Sequence, residues 1–272
     1  MPPPTPFARD TAVEPIDDGA YRATLTHDWW VIRGPNGGYL AAIILRAIQH
    51  TVADDTRAPR SLTVHYMTPP DEGDVVVTTQ IERQGRSMTS CTARMHQGDA
   101  LVAVAIAACS KPREGPAFND LTMPAVPLAA ELPSPPIFDE APPIARRWDI
   151  RWALGVHPFS GERSEVAVGG AWARLEHPQP LDAPAIAALA DALVPPVFAR
   201  SETPMVVPTV DLTVHFRSTL PHPGMAPDDF ALAAFRTNVA ADGFLEEDGE
   251  IWAPDGTLLA QSRQLAAIFP MA

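Results

Sequence analysis

The chain has 272 residues, 46 % of them apolar or aromatic, which is enough to bury one large core or two small ones. Its net charge of −13 and sequence pI of about 4.9 argue against nucleic acid or an anionic membrane surface as a partner, because both are held by basic patches. No apolar run reaches the roughly 18 residues a membrane-spanning helix requires, so no span is expected.

Taken in chain order, MPPPTPFARD has no basic region leading into an apolar core and does not read as a signal peptide. AYRATLTHD (20–28) is a strand candidate. NGGYLAAIILRAIQHTV (36–52) is long enough for a helix, and it is apolar almost all round, so it must be wrapped by other structure. SLTVHYMTPP (61–70), DVVVTTQIER (74–83), MTSCTARMHQ (88–97) and ALVAVAIAACS (100–110) follow as strands. Gly98-Asp99 marks a hairpin turn between the last two. Cys91 and Cys109 fall in these strands and read as buried free thiols, which fits a cytoplasmic location. Residues 111–143 are dense in proline and read as an extended linker whose Phe, Leu and Val pin it across the surface.

RRWDIRWAL (146–154) and SEVAVGGAWARLEH (164–177) are strands. LDAPAIAALADALVPP (181–196) is a second apolar helix, with Asp182 as N-cap, Pro184 in its first turn and Pro195-Pro196 as its stop. Then come DLTVHFRSTL (211–220), FALAAFRTNVA (230–240), FLEEDGEIWA (244–253) and TLLAQSRQLAAIF (257–269). Another hairpin signal stands at Asp255-Gly256. The letters LTVH thus recur 150 positions apart, each after a buried helix and before a run of antiparallel strands. This order predicts an α+β duplication: an N-terminal unit over 1–115, a Pro-rich linker over 116–144 and a C-terminal unit over 145–272. Each unit is a curved antiparallel sheet around one apolar helix, and the open edges or faces of the two units pair.

GPNGGYLAAIILRA (34–47), SLTVHYMTPPDEGD (61–74) and RQGRSMTSCTARMHQGDALV (83–102), with LADALVPP (189–196), PTVDLTVHFR (208–217) and DGTLLAQSRQLAA (255–267), resemble the double-hotdog acyl-CoA thioesterases of the thioesterase II family. The resemblance covers both halves outside the linker. It implies a tandem hotdog fold and hydrolysis of acyl-CoA to a free fatty acid and CoA, with no metal and no covalent serine. It also implies assembly into homo-oligomers. The catalytic residues it implies are an aspartate on the second helix, Asp191, a threonine at the start of the next strand, Thr209, and a glutamine on the last strand, Gln264. Asp211 and Thr213 on the same strand are alternatives for the threonine role.

The residue types suit that chemistry. Asp191 lies among Ala, Leu and Val near a helix end. Burial and the negative end of the helix dipole both disfavour its charge there, an unfavourable structural choice but a useful one for a general base. Its bland alternative is to accept bonds from backbone beyond the helix. Gln264 shares a face with Leu258, Ala260, Ser262 and Ala266, and a buried amide needs partners. It orients a water or a carbonyl, or it is a core glutamine bonded to the helix. Strand alternation puts Thr209 with Asp211, Thr213 and His215, opposite Val210, Leu212, Val214 and Phe216.

Gly37 and Gly38 open the first helix, where N–H groups polarise a bound carbonyl or simply start the helix. Arg86, with Arg83, flanks a turn and is either a CoA-phosphate ligand or a solvated turn residue. His65 and His215 are explained by the repeat. There is no CxxC, HExxH, GxSxG or glycine-rich phosphate loop, so no cofactor is expected. Two other readings compete: a non-catalytic acyl-CoA or lipid-binding protein, and an enoyl-CoA hydratase, which needs a histidine shortly after its aspartate. Asp191 has none there. At matched offsets Thr209 meets Pro59, Gln264 meets Ala107, and Asp191 meets one of Ala41, Ala42, Ile43, Ile44 or Leu45. One site per chain is therefore expected, carried by the second copy and roofed by the first.

Overall fold

The computed structural model describes residues 3–135 and 137–271, and in it the two LTVH stretches pair with each other. The first half comprises α1 (Pro6–Asp10), β1 (Glu14–Asp17), β2 (Ala20–Leu25), α2 (Gly37–Val52), β3 (Ala58–Tyr66), β4 (Gly73–Gln84), β5 (Met88–Gln97) and β6 (Ala100–Ser110). The second comprises β7 (Trp148–Leu154), β8 (Ala167–Leu175), α3 (Ala183–Leu189), α4 (Val197–Arg200), β9 (Met205–Val206) and β10 (Thr209–Phe216). It continues with β11 (Ala231–Thr237), β12 (Ala240–Ala241), β13 (Phe244–Trp252), β14 (Leu258–Ala267) and β15 (Phe269–Pro270).

The two expected sheets are joined edge to edge into one. Outward from the seam the first half runs β3, β6, β5, β4, β2, β1, and the second runs β10, β14, β13, β11, β8, β7. Each of these twelve strands has a counterpart of the same rank in the other half, which is the tandem hotdog arrangement. At the seam Leu212 pairs with Val64, Thr213 with Thr63 and Val214 with Leu62. The Thr63 and Thr213 hydroxyls meet at 3.0 Å, at the centre of the relation between the halves. Leu62, Val64, Leu212 and Val214 point inward and are buried. The repeat therefore closes two sheet edges that would otherwise expose unpaired backbone groups.

Helix α2 has no polar face because β2 to β6 lie on one side of it and α3 on the other. Asp182 caps α3 through the Ala185 N–H, at 2.9 Å. This helix stops at Leu189, short of the expected Pro195-Pro196. Beyond Leu189 the chain runs in tighter turns, with the Asp191 N–H on the Ala188 carbonyl and the Ala192 N–H on the Leu189 carbonyl, and the prolines bar any return to helix. In a continuing helix the carbonyls of Asp191 and Ala192 would need the N–H groups of residues 195 and 196, and proline has none. The Asn36 amide supplies the missing donor to the Asp191 carbonyl, at 2.7 Å.

First-half strands end at Ser110 and second-half strands begin at Trp148. Between them Met123, Val126, Ala129 and Leu132 pack on Trp172, Leu232, Trp252 and Leu258. Trp172 Nε1 donates to the Pro127 carbonyl at 2.9 Å. Phe118, expected to help pin this segment, is 84 % exposed. Cys91 and Cys109 are buried free thiols, and burial pushes each up to about 11. Among the described residues no helix is long and apolar enough to cross a membrane.

Candidate active site

The two halves bring their polar residues together at the N-terminal end of α2. Asn36 is its N-cap: the side-chain oxygen accepts from the Tyr39 N–H at 3.0 Å. The amide of the same side chain donates to Asp191 Oδ2 at 2.8 Å, and the Gly38 N–H donates to that oxygen at 3.0 Å. Asp191 therefore lies just past the end of its own helix and against the positive end of the other half's helix. Its carboxylate takes the N–H that the sequence reading offered to a ligand. The glycines admit protein here: a Cβ on Gly38 would fall 2.5 Å from the Ala188 carbonyl oxygen, and one on Gly37 would fall 3.0 Å from Asp191 Oδ2.

Burial pushes the Asp191 carboxyl up to about 6. Bonds from Gly38, Gly37 and Asn36 hold it back from rising further, and the Thr209 hydroxyl lies near enough to add slightly to that. The penalty expected from its own helix is thus replaced by desolvation, with the neighbouring helix acting in the charge's favour. Beneath Gly37, Tyr66 donates to the Gly37 carbonyl at 2.7 Å. Burial first, and then the charges of Asp191 and Asp211, push its phenol well up and keep it protonated.

Simple alternation put Thr209 on the outer face with Asp211 and Thr213, and the structure corrects this. The β10–β14 register shifts by one between Thr209 and Asp211, so Val210 is a bulge. Thr209 pairs with Ala266 on the inner face, whereas Asp211 pairs with Leu265 on the outer one. The Thr209 hydroxyl donates to Gln264 Oε1 at 3.0 Å. Thr213 is instead committed to Thr63 at the seam. Gln264 is 5 % exposed, and its Nε2 donates to Glu247 Oε1 at 2.7 Å rather than to a helix. Asp191, Thr209 and Gln264 are thus one cluster, joined by Gly37 and Gly38.

Arg86 is not brought to this cluster. It is exposed on the β4–β5 turn, where its carbonyl and that of Gly85 accept from Arg57, just beyond the C-terminal end of α2. The length of α2, about 24 Å for 16 residues, separates that end from Asp191.

Residues 123–268 match the family model for the acyl-CoA thioesterase C-terminal domain, and residues 26–110 match that for the N-terminal domain. The chain belongs to the acyl-CoA thioesterase family. Among curated proteins none matches it significantly. It is similar over 99 % of its length to the whole of a conserved hot dog protein of unknown function from Alicyclobacillus acidocaldarius, at 27 % identity and a TM-score of 0.88. It also resembles an acyl-CoA thioesterase II from Mycobacterium marinum, at 20 % identity and a TM-score of 0.77, covering 98 % of this chain and 99 % of that one. A dehydratase domain from Mycobacterium tuberculosis, solved with C12:1-CoA, shares the fold at 14 % identity and a TM-score of 0.55, covering 92 % of this chain and 93 % of that one. Fold alone does not choose the reaction.

Three polar residues at this cluster escaped the sequence reading: Asn36, Tyr66 and Glu247. Asn36 stands before Gly-Gly at a helix start, a readable N-cap signal. Tyr66 stands where the second copy has Phe216, at the same offset of 150 as Thr63 and Thr213. Glu247 alternates with Leu245, Gly249 and Ile251, so a carboxylate on an apolar face was legible.

Proposed function

We propose that the chain hydrolyses acyl-CoA thioesters with a water activated by Asp191. The observation that carries this reading is the Asp191 carboxylate held at the N-terminus of α2 beside the Thr209–Gln264 pair. A water donating one hydrogen to Asp191 and the other to Thr209 turns a lone pair toward the thioester carbon. Asp191 takes the water's proton as the new C–O bond forms. The C–S bond then breaks, and the proton passes from Asp191 to the departing sulfur, giving a free acid and CoA thiol. Charge moves from Asp191 to the carbonyl oxygen without leaving the field of the α2 N-terminus, so the transition state keeps the stabilisation Asp191 had. Gly37 and Gly38 contribute by shaping this helix end.

Non-catalytic lipid binding is supported less well. A binder has no use for Gln264 and Glu247, both about 95 % buried and costly to desolvate. The hydratase reading still lacks a histidine: none bonds to Asp191 among the described residues.

Free-thiol detection over short- to long-chain acyl-CoAs tests the proposal, and thiol release is the expected result. No release from any chain length would overturn it. With the Asp191 carboxyl pushed up to about 6, kcat/KM should rise with pH and level off above that value. A profile flat from about pH 5 to 8 would speak against a carboxylate base with this environment.

A further inference from the structure

Glu247 stands apart from the machinery described so far. It is a carboxyl 4 % exposed on the inner face of β13, between the buried Leu245 and the glycine that abuts Phe235. Its Oε1 accepts from Gln264 Nε2 at 2.7 Å, and its Oε2 is buried with no bonding partner among the described residues. The groups near it are Gln264 on β14, Asp191 beyond α3 and Glu246 on its own strand; Thr237 is the inward-facing polar residue on β11. No cation pairs with it among the described residues.

We infer that Glu247 is a positioning residue, whose acceptor oxygen fixes which way the Gln264 amide points and thereby which way the Thr209 hydroxyl points. This inference rests on the hydrolytic reading of the site. A glutamine amide can sit either way round in the same space, and the two orientations exchange donor for acceptor. Glu247 removes the choice. A carboxyl with a buried, unpartnered Oε2 holds its proton on that oxygen, in keeping with burial, the Asp191 charge and the Glu246 charge together pushing it up to about 8. The other oxygen is then a carbonyl, which can only accept. Gln264 must turn Nε2 toward it and Oε1 toward Thr209. Thr209 must spend its one proton on Gln264, and its lone pairs are left to accept from the attacking water. The opposite amide orientation would let Thr209 donate to that water and occupy the lone pair needed for attack.

The test compares Glu247→Leu and Glu247→Gln with the unaltered protein. In the leucine variant kcat should fall by about tenfold to a hundredfold with KM little changed, because water orientation is lost and not acyl binding. Glu247→Gln keeps an acceptor oxygen but can itself turn round, so it should restore kcat only in part, to a value between those of the leucine variant and the original. A merely space-filling role would give the reverse, with leucine tolerated. Side-chain amide NMR of Gln264, assigned by its loss in Gln264→Met, gives a readout independent of turnover. Its amide protons should exchange slowly in the unaltered protein, faster in Glu247→Leu, and at a rate between the two in Glu247→Gln. Equal exchange in all three, or a leucine variant with full kcat, overturns the inference. Absence of turnover in the unaltered protein counts against the hydrolytic reading instead, and the amide exchange then decides the Glu247–Gln264 link by itself.

Discussion

Replacing Asp191 by asparagine should lower kcat/KM by about a hundredfold to ten-thousandfold, the range a positioned general base contributes, and at the same time make the protein more stable above pH 6. Asparagine keeps an oxygen for the Gly38 N–H and the Asn36 amide but cannot take a proton from water. The stability effect follows from the raised pKa. Burial pushes the carboxyl up to about 6 in the folded chain from its ordinary 3.8, so between those pH values the folded state binds more protons than the unfolded one. The unaltered protein therefore loses stability as pH rises from about 4 to 6, by up to about 3 kcal/mol, whereas the asparagine variant does not. The two should unfold alike near pH 4 and diverge toward pH 7, at roughly 2–4 °C per kcal/mol for a chain near this size. Thermal melts across pH, run beside thiol release, check both halves. A variant that loses activity and is also less stable at pH 7 would assign Asp191 a structural role.

How much of this was legible depends on how locally each feature is determined. The strands, the all-apolar α2 and the Asp182 cap follow from neighbours in sequence, and their alternation or periodicity places them to within a few residues. LTVH was readable as a repeat, but its self-pairing across the seam was one option among several for two open edges. The Val210 bulge was invisible. Valine is an ordinary strand residue, and nothing nearby announces that the phase reverses between Thr209 and Asp211. The end of α3 was misread for a related reason. The prolines act through the carbonyls of Asp191 and Ala192, and the Asp191 carbonyl is satisfied by Asn36, a residue 155 positions away. The charge environment of Asp191 is likewise set by a helix from the other half, which no local window contains.

That dependence on the other half gives a second large effect, at Gly38. In an isolated helix, alanine in place of glycine would be favourable by about 1 kcal/mol. Here the added Cβ would meet the Ala188 carbonyl oxygen at 2.5 Å and the Ala188 Cα at 3.0 Å. Both are backbone atoms of α3, so no rotamer change relieves the clash and α2 must move away from α3. Overpacking of this kind costs about 1–3 kcal/mol, enough to outweigh the propensity gain, and Gly38→Ala should destabilise the chain. The same displacement lengthens the 3.0 Å bond from the Gly38 N–H to Asp191, so activity should fall as well. Gly37→Ala separates the two consequences. Its Cβ would meet Asp191 Oδ2 and Tyr66 Cζ at 3.0 Å, both side-chain atoms that can give way. That variant should keep most of its stability and lose kcat, because what yields is the carboxylate itself. Denaturant unfolding and thiol release on the pair check this. If Gly38→Ala were as stable as the unaltered chain, the close crossing of α2 and α3 that brings Asp191 to the first-half helix would be wrong.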